Sequence, residues 1–337
     1  MSVSGTLAYV GNKGTHTFAG DGQTLNLNAV AACIPANESI TGQGLCWNPA
    51  APAGSLTETS NTNYLRKYYS QFGWTQNLTY YHDGFDSHYN ALQATLDKHF
   101  TQGLQFTARY TWQAAFNYGN NDYALIDRKV VYGRYDDLRE QEFQLYGNYD
   151  LPFGNNQRFF SGVPKWANYL ISGYQLSPYL NWSSGLPYTP SYGACGSDIP
   201  NGPCMPNKTG GILPTNLTSF STASHSRTFF IPVAAFGANG SVSGPFSRPY
   251  LNQFGDVGRN NYYGPAFFNT DLSLSKNTPI RENITAQFRV DAFNVFNHIS
   301  PGNPGNTCID CTGAGIITGM AIGQSPRQLE FSVTISF

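Results

Sequence analysis

The last ten residues, 328–337, alternate without a break. Leu329, Phe331, Val333, Ile335 and Phe337 are apolar, and Gln328, Glu330, Ser332, Thr334 and Ser336 are polar. A side-chain period of two places the two sets on opposite faces of one strand. Whatever fold this chain adopts must give that strand an apolar environment on one side and water on the other. Two architectures do so: a strand whose oily face meets a protein core, and a strand whose oily face meets hydrocarbon while its polar face lines a water-filled lumen. The segment also stops on an aromatic residue, Phe337.

Composition narrows the choice of class. Charged residues make up 12% of the 337, about half the roughly 25% of an ordinary globular domain. Mean hydropathy is -0.34, so the missing charge is replaced by uncharged polar residues and tyrosine rather than by oil. A barrel lumen suits that material, and so does a secreted β-sandwich. Net charge is -1 and no basic run occurs, which argues against a nucleic-acid partner. No run of about 18 apolar residues exists, so a membrane-spanning helix is excluded. Barrel strands need only about 9–11 alternating residues each.

The alternation recurs along the chain. It marks strands at about 2–10 (Val3, Leu7, Tyr9), 88–100 (Leu92, Ala94, Leu96) and 104–112 (Leu104, Phe106, Ala108, Tyr110, Trp112). Further strands are expected at about 138–151, 166–184, 267–276 and 283–296, before the terminal one. Pro178 weakens the 166–184 segment, because proline donates nothing to a ladder. Connections alternate short (101–103, 152–164, 278–282) and long (20–86, 117–136, 191–266, 297–325). Compact soluble domains rarely carry so many long loops, whereas outer-membrane barrels pair short periplasmic turns with long outer loops. The expected fold is therefore all-β: an antiparallel transmembrane β-barrel, partial, with about eight strands. Aromatics gather where strands meet loops (Tyr68, Tyr69, Phe72, Trp74; Tyr80, Tyr81; Trp112, Phe116; Phe159, Phe160, Trp166; Tyr262, Tyr263, Phe267, Phe268). They are expected to form interfacial girdles, although strand-end packing in a soluble β protein produces similar clusters.

The six cysteines form three sequence-local pairs, each within one long loop: Cys33 with Cys46, Cys195 with Cys204, and Cys308 with Cys311. Even number and loop placement argue for three disulfides in an oxidising compartment. Each closes a short loop and is worth roughly 2–3 kcal/mol. The sharper alternative for Cys308-Ile309-Asp310-Cys311 is a redox or zinc site, but redox use wants a helix N-terminus and zinc wants further ligands.

Searches for chemistry return little. No GxSxG, HExxH or phosphate-loop pattern occurs, so no enzymatic activity and no cofactor are expected. The densest polar cluster, His82-Asp83-Gly84-Phe85-Asp86-Ser87-His88, reads either as a cation loop or as a polar turn feeding a strand. Arg109, Arg289 and Asp291 sit mid-strand on polar faces and are expected to face the lumen. Asp97, Asp271 and Asp291 are the candidate partners of the two arginines.

Several stretches resemble a known family. They are Tyr89-Asn90-Ala91-Leu92-Gln93, Tyr149-Asp150-Leu151-Pro152-Phe153-Gly154, Ser184-Gly185-Leu186-Pro187-Tyr188-Thr189-Pro190 and Gly258-Arg259-Asn260. The most specific are Phe267-Phe268-Asn269-Thr270-Asp271-Leu272-Ser273 and Asp291-Ala292-Phe293-Asn294-Val295-Phe296-Asn297-His298. With the terminal strand, they are similar to the C-terminal barrel of TonB-dependent outer-membrane receptors, in the subgroup that begins with a carboxypeptidase-regulatory-like domain and is common in acidobacteria. The resemblance implies that residues 1–337 are the C-terminal part of such a barrel, without its plug domain, located in the bacterial outer membrane. The start of the chain lacks a signal-peptide pattern, which fits a fragment.

It further implies uptake of a small molecule, glycan or peptide. TonB would be engaged only through the missing N-terminal region. Lipid and the barrel-assembly machinery would be partners, the latter reading Val333, Ile335 and Phe337. Two alternatives stand beside it: a complete small outer-membrane barrel acting as adhesin or pore, and a secreted carbohydrate-binding β-sandwich.

Overall fold

The computed structural model describes residues 3–18, 24–29, 63, 66–119, 122–125, 128–195, 203–213, 215, 217, 221–237, 240–249, 254–281 and 283–337. Its framework is one antiparallel sheet of eight long strands in sequential order. These are β1 (Val3–Thr17), β2 (Phe85–Thr101), β3 (Leu104–Tyr118), β4 (Gln141–Asp150), β5 (Tyr174–Ser183), β6 (Phe267–Arg281), β7 (Ile284–Phe293) and β8 (Gln328–Ser336). The short strand Tyr132–Arg134 adds to the top of β3. Among the described residues, β1 pairs only with β2 and β8 only with β7, so the sheet carries two free edges.

Register sorts the side chains by parity. One row across the sheet reads Leu7, Ala94, Tyr110, Phe143, Trp182, Phe268. Another reads Leu176, Leu274, Val290, Phe331. The opposite face reads Thr6, Thr95, Arg109, Gln144, Asn181, Asn269 and Ser177, Ser273, Asp291, Glu330. A slip of one residue anywhere would exchange the two faces.

Among the described residues no second layer covers the apolar face of the terminal strand. Leu329, Phe331, Val333 and Ile335 are 58–72% exposed, and Leu7, Trp112 and Phe288 are exposed beside them on their own strands. A β-sandwich buries this face, so that alternative falls. The polar face is concave. One cavity of about 630 Å³ touches residues of every strand from β2 to β7. Six strands laid flat span about 24 Å, so the sheet must curl around its polar side to share one cavity.

The short connections form as the residues dictate, with one correction. Gln102 and Gly103 both take positive φ, 55° and 77°, the two-residue hairpin turn that matches strand twist. The expected strand beginning at Trp166 is instead a helix, Lys165–Ile171, followed by β5 from Tyr174. Trp166, Tyr169 and Leu170 carry helical spacing (i, i+3, i+4), which a period-two reading of an apolar run absorbed. Gly173 separates helix from strand with φ 76°, and a Cβ there would lie 2.3 Å from the Asn277 carbonyl oxygen. The other strands keep their places but are longer or shifted at their ends: β1 runs on to Thr17 and β6 to Arg281. Pro178 sits inside β5 without breaking it. Its pairing with β6 is continuous, and the ladder to β4 skips the Gly147–Pro178 and Asn148–Ser177 positions.

Among the described residues the long connections pack into cores of their own. Those after β5 and β7 share a core of Tyr188, Met205, Leu213, Phe229, Phe230, Phe246, Val257, Ile309, Ala314 and Ile317. Small ladders knit them: Pro187–Tyr188 with Tyr262–Tyr263, and Arg227–Thr228 with Ile316–Ile317. A second cluster, Leu25, Phe85, Ala124 and Val131, joins the connections after β1 and β3 at the top of β2. The molecule thus keeps its buried cores in its loops, and they form a folded cap over one end of the sheet. Tyr262 packs against that cap core and Phe267 is buried, so neither belongs to a girdle. Phe159, Phe160 and Trp166 are exposed at the opposite rim.

The parity assignment is directly testable in phospholipid vesicles. Leu180→Arg should cost roughly 2–4 kcal/mol in urea unfolding, while its neighbour Asn181→Arg should stay within about 0.5 kcal/mol. Equal costs would contradict the two-faced sheet.

Candidate functional site

The polar face is a hydrogen-bonded wall. Thr107 Oγ1 donates to Asp97 Oδ1 at 2.6 Å, Ser177 Oγ to Asn148 Oδ1 at 2.6 Å, Gln175 Nε2 to Asp150 Oδ1 at 2.8 Å and Asn269 Nδ2 to Asp271 Oδ1 at 2.9 Å. Arg289 Nε reaches both oxygens of Asp291 at 2.9 Å. These two residues lie two apart on one strand face, which brings guanidinium and carboxylate together. Arg109 finds no carboxylate among the described residues. Its direct cross-strand neighbours are Thr95 and Gln144, Asp97 is taken by Thr107, and the guanidinium lies 5.6 Å above the Tyr146 ring. Arg109, Arg289 and Asp291 therefore all stand on the concave face, but only the last two form an ion pair. Tyr146 and Tyr179 face each other across β4 and β5, and the 630 Å³ cavity mixes their hydroxyls with amides, carboxylates and Arg289, alongside Lys98, His99 and apolar side chains such as Phe106 and Phe293. Such a surface can exchange hydrogen bonds with a polar solute.

The cap supplies the outer part of the site. Cys195–Cys204 and Cys308–Cys311 are disulfide-bonded, with Cα atoms 5.3 and 5.4 Å apart. Cys33 and Cys46 lie outside the described residues. Cys308-Ile309-Asp310-Cys311 forms a turn, with no helix behind it. Ile309 is buried in the cap core, and Asp310 Oδ1 accepts the Gly193 N–H at 2.8 Å. That setting is a loop staple, without the helix N-terminus that redox use wants. The His82–His88 stretch is likewise structural. His82 stacks on Tyr80 and His88 on Phe116, while Asp86 faces Arg128 at 4.0 Å and the Arg128 guanidinium covers Phe85 and Tyr118.

Two asparagines tie cap to wall, and sequence reasoning had given them no role. Asn260, nearly fully buried, takes φ 57°. Its Nδ2 donates to the Arg134 carbonyl at 2.8 Å and to Asp136 Oδ1 at 2.7 Å, and its N–H donates to Thr189 Oγ1 at 2.9 Å. Beside it, Arg259 bonds Asn117 Oδ1 at 2.8 Å and pairs with Asp136. Asn294, buried with φ 48°, bonds the carbonyls of His298 and Ser325 at 2.8 and 2.9 Å, and its N–H reaches Asp271 Oδ1 at 2.8 Å. Asparagine tolerates left-handed backbone better than most residues, and its amide both donates and accepts. Both needs are met at both sites. A second cavity, about 390 Å³, opens beside the first tie between Thr189, Ser191, Met205, Asp136 and Arg259.

Within the cap core the Tyr188 hydroxyl is buried without a hydrogen-bond partner among the described residues. Burial, reinforced by neighbouring Tyr262, pushes its pKa up. A raised phenol pKa stabilises the fold only while the phenol is neutral. The contribution is complete below about pH 10, the value of an unfolded tyrosine, and is lost as pH climbs through the folded value.

Compared with known proteins, residues 1–330 match the model of a family described as outer membrane beta barrel domain. No curated protein and no solved structure matches the chain.

Asn260→Ala should lower cap stability by about 1–3 kcal/mol by orphaning buried partners. The readout is faster amide exchange across 128–136 and 257–263 with β4 and β5 unchanged; uniform exchange would remove the tie. Tyr188→Phe should leave neutral-pH stability intact and flatten the alkaline unfolding limb above pH ~10. An unaltered limb would show that this hydroxyl does not govern it.

Proposed function

The chain belongs to the outer membrane beta barrel domain family, and from that premise we propose that it is the C-terminal wall of a TonB-dependent receptor that takes up a polar solute across the bacterial outer membrane. The outer-membrane location assigns the exposed apolar face to hydrocarbon and the concave polar face to water. The observation that carries the larger-receptor reading is the pair of free edges. Unpaired backbone N–H and C=O groups are not tolerated in lipid, and the apolar face continues to both edges, so the eight strands call for further wall beyond β1 and β8. The motif resemblance supplies the TonB-dependent class.

In this reading the disulfide-braced cap meets the solute first. The polar wall then passes it along by exchanging hydrogen bonds at Tyr146, Tyr179, Asn148 and the Arg289–Asp291 pair. Energy coupling resides in an N-terminal plug region that contacts TonB. Val333 and Ile335, exposed on the edge strand β8, and Phe337, exposed just past its end, serve as the signal that the barrel-assembly machinery reads. A second reading, a small barrel closed by β1 pairing with β8 and acting as a pore or adhesin, is favoured by the strand count, since eight is a permitted closed number.

A cysteine pair separates the two. Thr6→Cys with Ser332→Cys places thiols on the polar faces of the two edge strands. The receptor reading expects no crosslink in the membrane-inserted protein expressed from its whole gene; efficient crosslinking establishes the small closed barrel. Solute uptake by cells carrying the whole gene should stop when TonB is deleted, and uptake that persists would refute the TonB-dependent class.

A further inference from the structure

We propose that the helix Lys165–Ile171, in the β4–β5 connection, lies in the headgroup interface of the bilayer and anchors the short-turn rim of the wall to phospholipid. The inference rests on the outer-membrane location alone and holds whether the wall closes by itself or within a larger receptor.

The helix has two faces. Asn168 is turned inward: its Oδ1 accepts the Asn155 N–H at 2.7 Å and its carbonyl accepts Ser172 Oγ at 2.6 Å. Gly154 lets the two segments close, because a Cβ there would lie 2.6 Å from Asn168 Oδ1 and 2.7 Å from Ser172 Cβ. The other face carries Trp166, Tyr169 and Leu170, which are 71, 53 and 61% exposed. Phe159 and Phe160 extend the patch, both packed against Phe153 and both exposed. Nothing in the molecule covers this oil among the described residues.

Lys276 fixes the side of the wall on which the helix sits. Its position on β6 opposes Tyr174 and Phe288, in the apolar register that also holds Leu274. From that lipid-facing side its Nζ donates to the Ser172 carbonyl just past the helix end, at 2.8 Å, 4.9 Å from the centre of the Tyr174 ring. A lysine reaching from hydrocarbon to the rim in this way snorkels. The helix therefore continues the lipid-facing surface and does not hang beneath the lumen. Tryptophan and tyrosine concentrate at the headgroup level, and a short helix with one aromatic face lies flat there. Exposed Arg158 and Lys165 flank the patch, placed to meet phosphate. The occupant is thus a phospholipid interface; a soluble partner on the aqueous side is the competing outcome.

Bromine quenching of tryptophan emission reads this out. The protein is inserted into vesicles of phosphatidylcholine and phosphatidylglycerol, with bromine placed on the acyl chain near the headgroup or near the midplane. The chain has five tryptophans, so the wild type minus Trp166→Phe difference isolates Trp166. Trp166→Tyr provides the same subtraction if the first variant does not fold, as judged by gel mobility before and after heating. The expected result is a difference emission quenched by shallow bromine, less by deep bromine, and hardly by aqueous iodide. Quenching by iodide with no effect of either bromolipid would overturn the proposal, and so would protection from all three quenchers.

Discussion

In hydrocarbon no water can satisfy a backbone amide, so each N–H and C=O of the wall must find its partner in a neighbouring strand. The ladders from β1 to β8 are the response to that constraint, and the rest of the structure follows from them. A continuous antiparallel ladder fixes side-chain parity across the whole sheet, so one register decides which residues meet lipid and which meet water. It also explains local choices. Gly147 lies where a Cβ would come within 2.3 Å of the Gln105 carbonyl oxygen, so close strand approach needs glycine there. Pro178 is accommodated where the β4 ladder skips two positions while its β6 ladder continues.

The same constraint relocates the hydrophobic core. In a soluble β protein the apolar faces of strands bury one another; here they are spent on lipid. Residues that must condense in water are left to the connections, and there Phe230, Phe246, Val257, Ile309 and Ile317 collect. Loop segments lack long ladders to hold them, which is where the Cys195–Cys204 and Cys308–Cys311 bonds contribute. Each trims the unfolded loop's freedom and costs the folded cap nothing in buried polar groups.

The wall was legible in the sequence and the cap was not, for physical reasons. Alternation at Leu329–Phe331–Val333–Ile335 and at Leu92–Ala94–Leu96 is a local property, and a ladder of nearest neighbours needs little more. The exposed outer face agrees with the same pattern. The helix at Trp166 was missed because three apolar residues spaced by three and four were merged into the period-two run that begins after Gly173. The cap core escaped because Tyr188, Phe230 and Ile309 meet across separations of 42 to 121 residues, with no periodicity to announce it. The concave placement of Arg109, Arg289 and Asp291 followed from parity, yet their pairing did not, since Arg109 prefers the Tyr146 ring and Asp97 is already engaged.

The family-like motifs acquire a mechanical meaning from the same reasoning. Gly258-Arg259-Asn260 and Asn294-Val295-Phe296-Asn297-His298 both lie where the chain leaves the regular ladder, on the approach to β6 and just past β7. A chain leaving a ladder abandons paired carbonyls and amides, and in the cap these would be buried without water. An asparagine in the left-handed region bends the chain sharply, and its amide then supplies two hydrogen bonds, at least one of them to a backbone carbonyl. Asn260 does this for the segment around Arg134, and Asn294 for the turn at His298 and the strand-entry carbonyl of Ser325. Asp271 closes the circuit by accepting from Asn294 on one side and Asn269 on the other, so a residue of the polar wall also bears on the cap. The transition from a lipid-solvated sheet to a water-solvated cap is therefore made by side chains that substitute for backbone, and leucine or alanine at those positions could supply neither the bend nor the bonds.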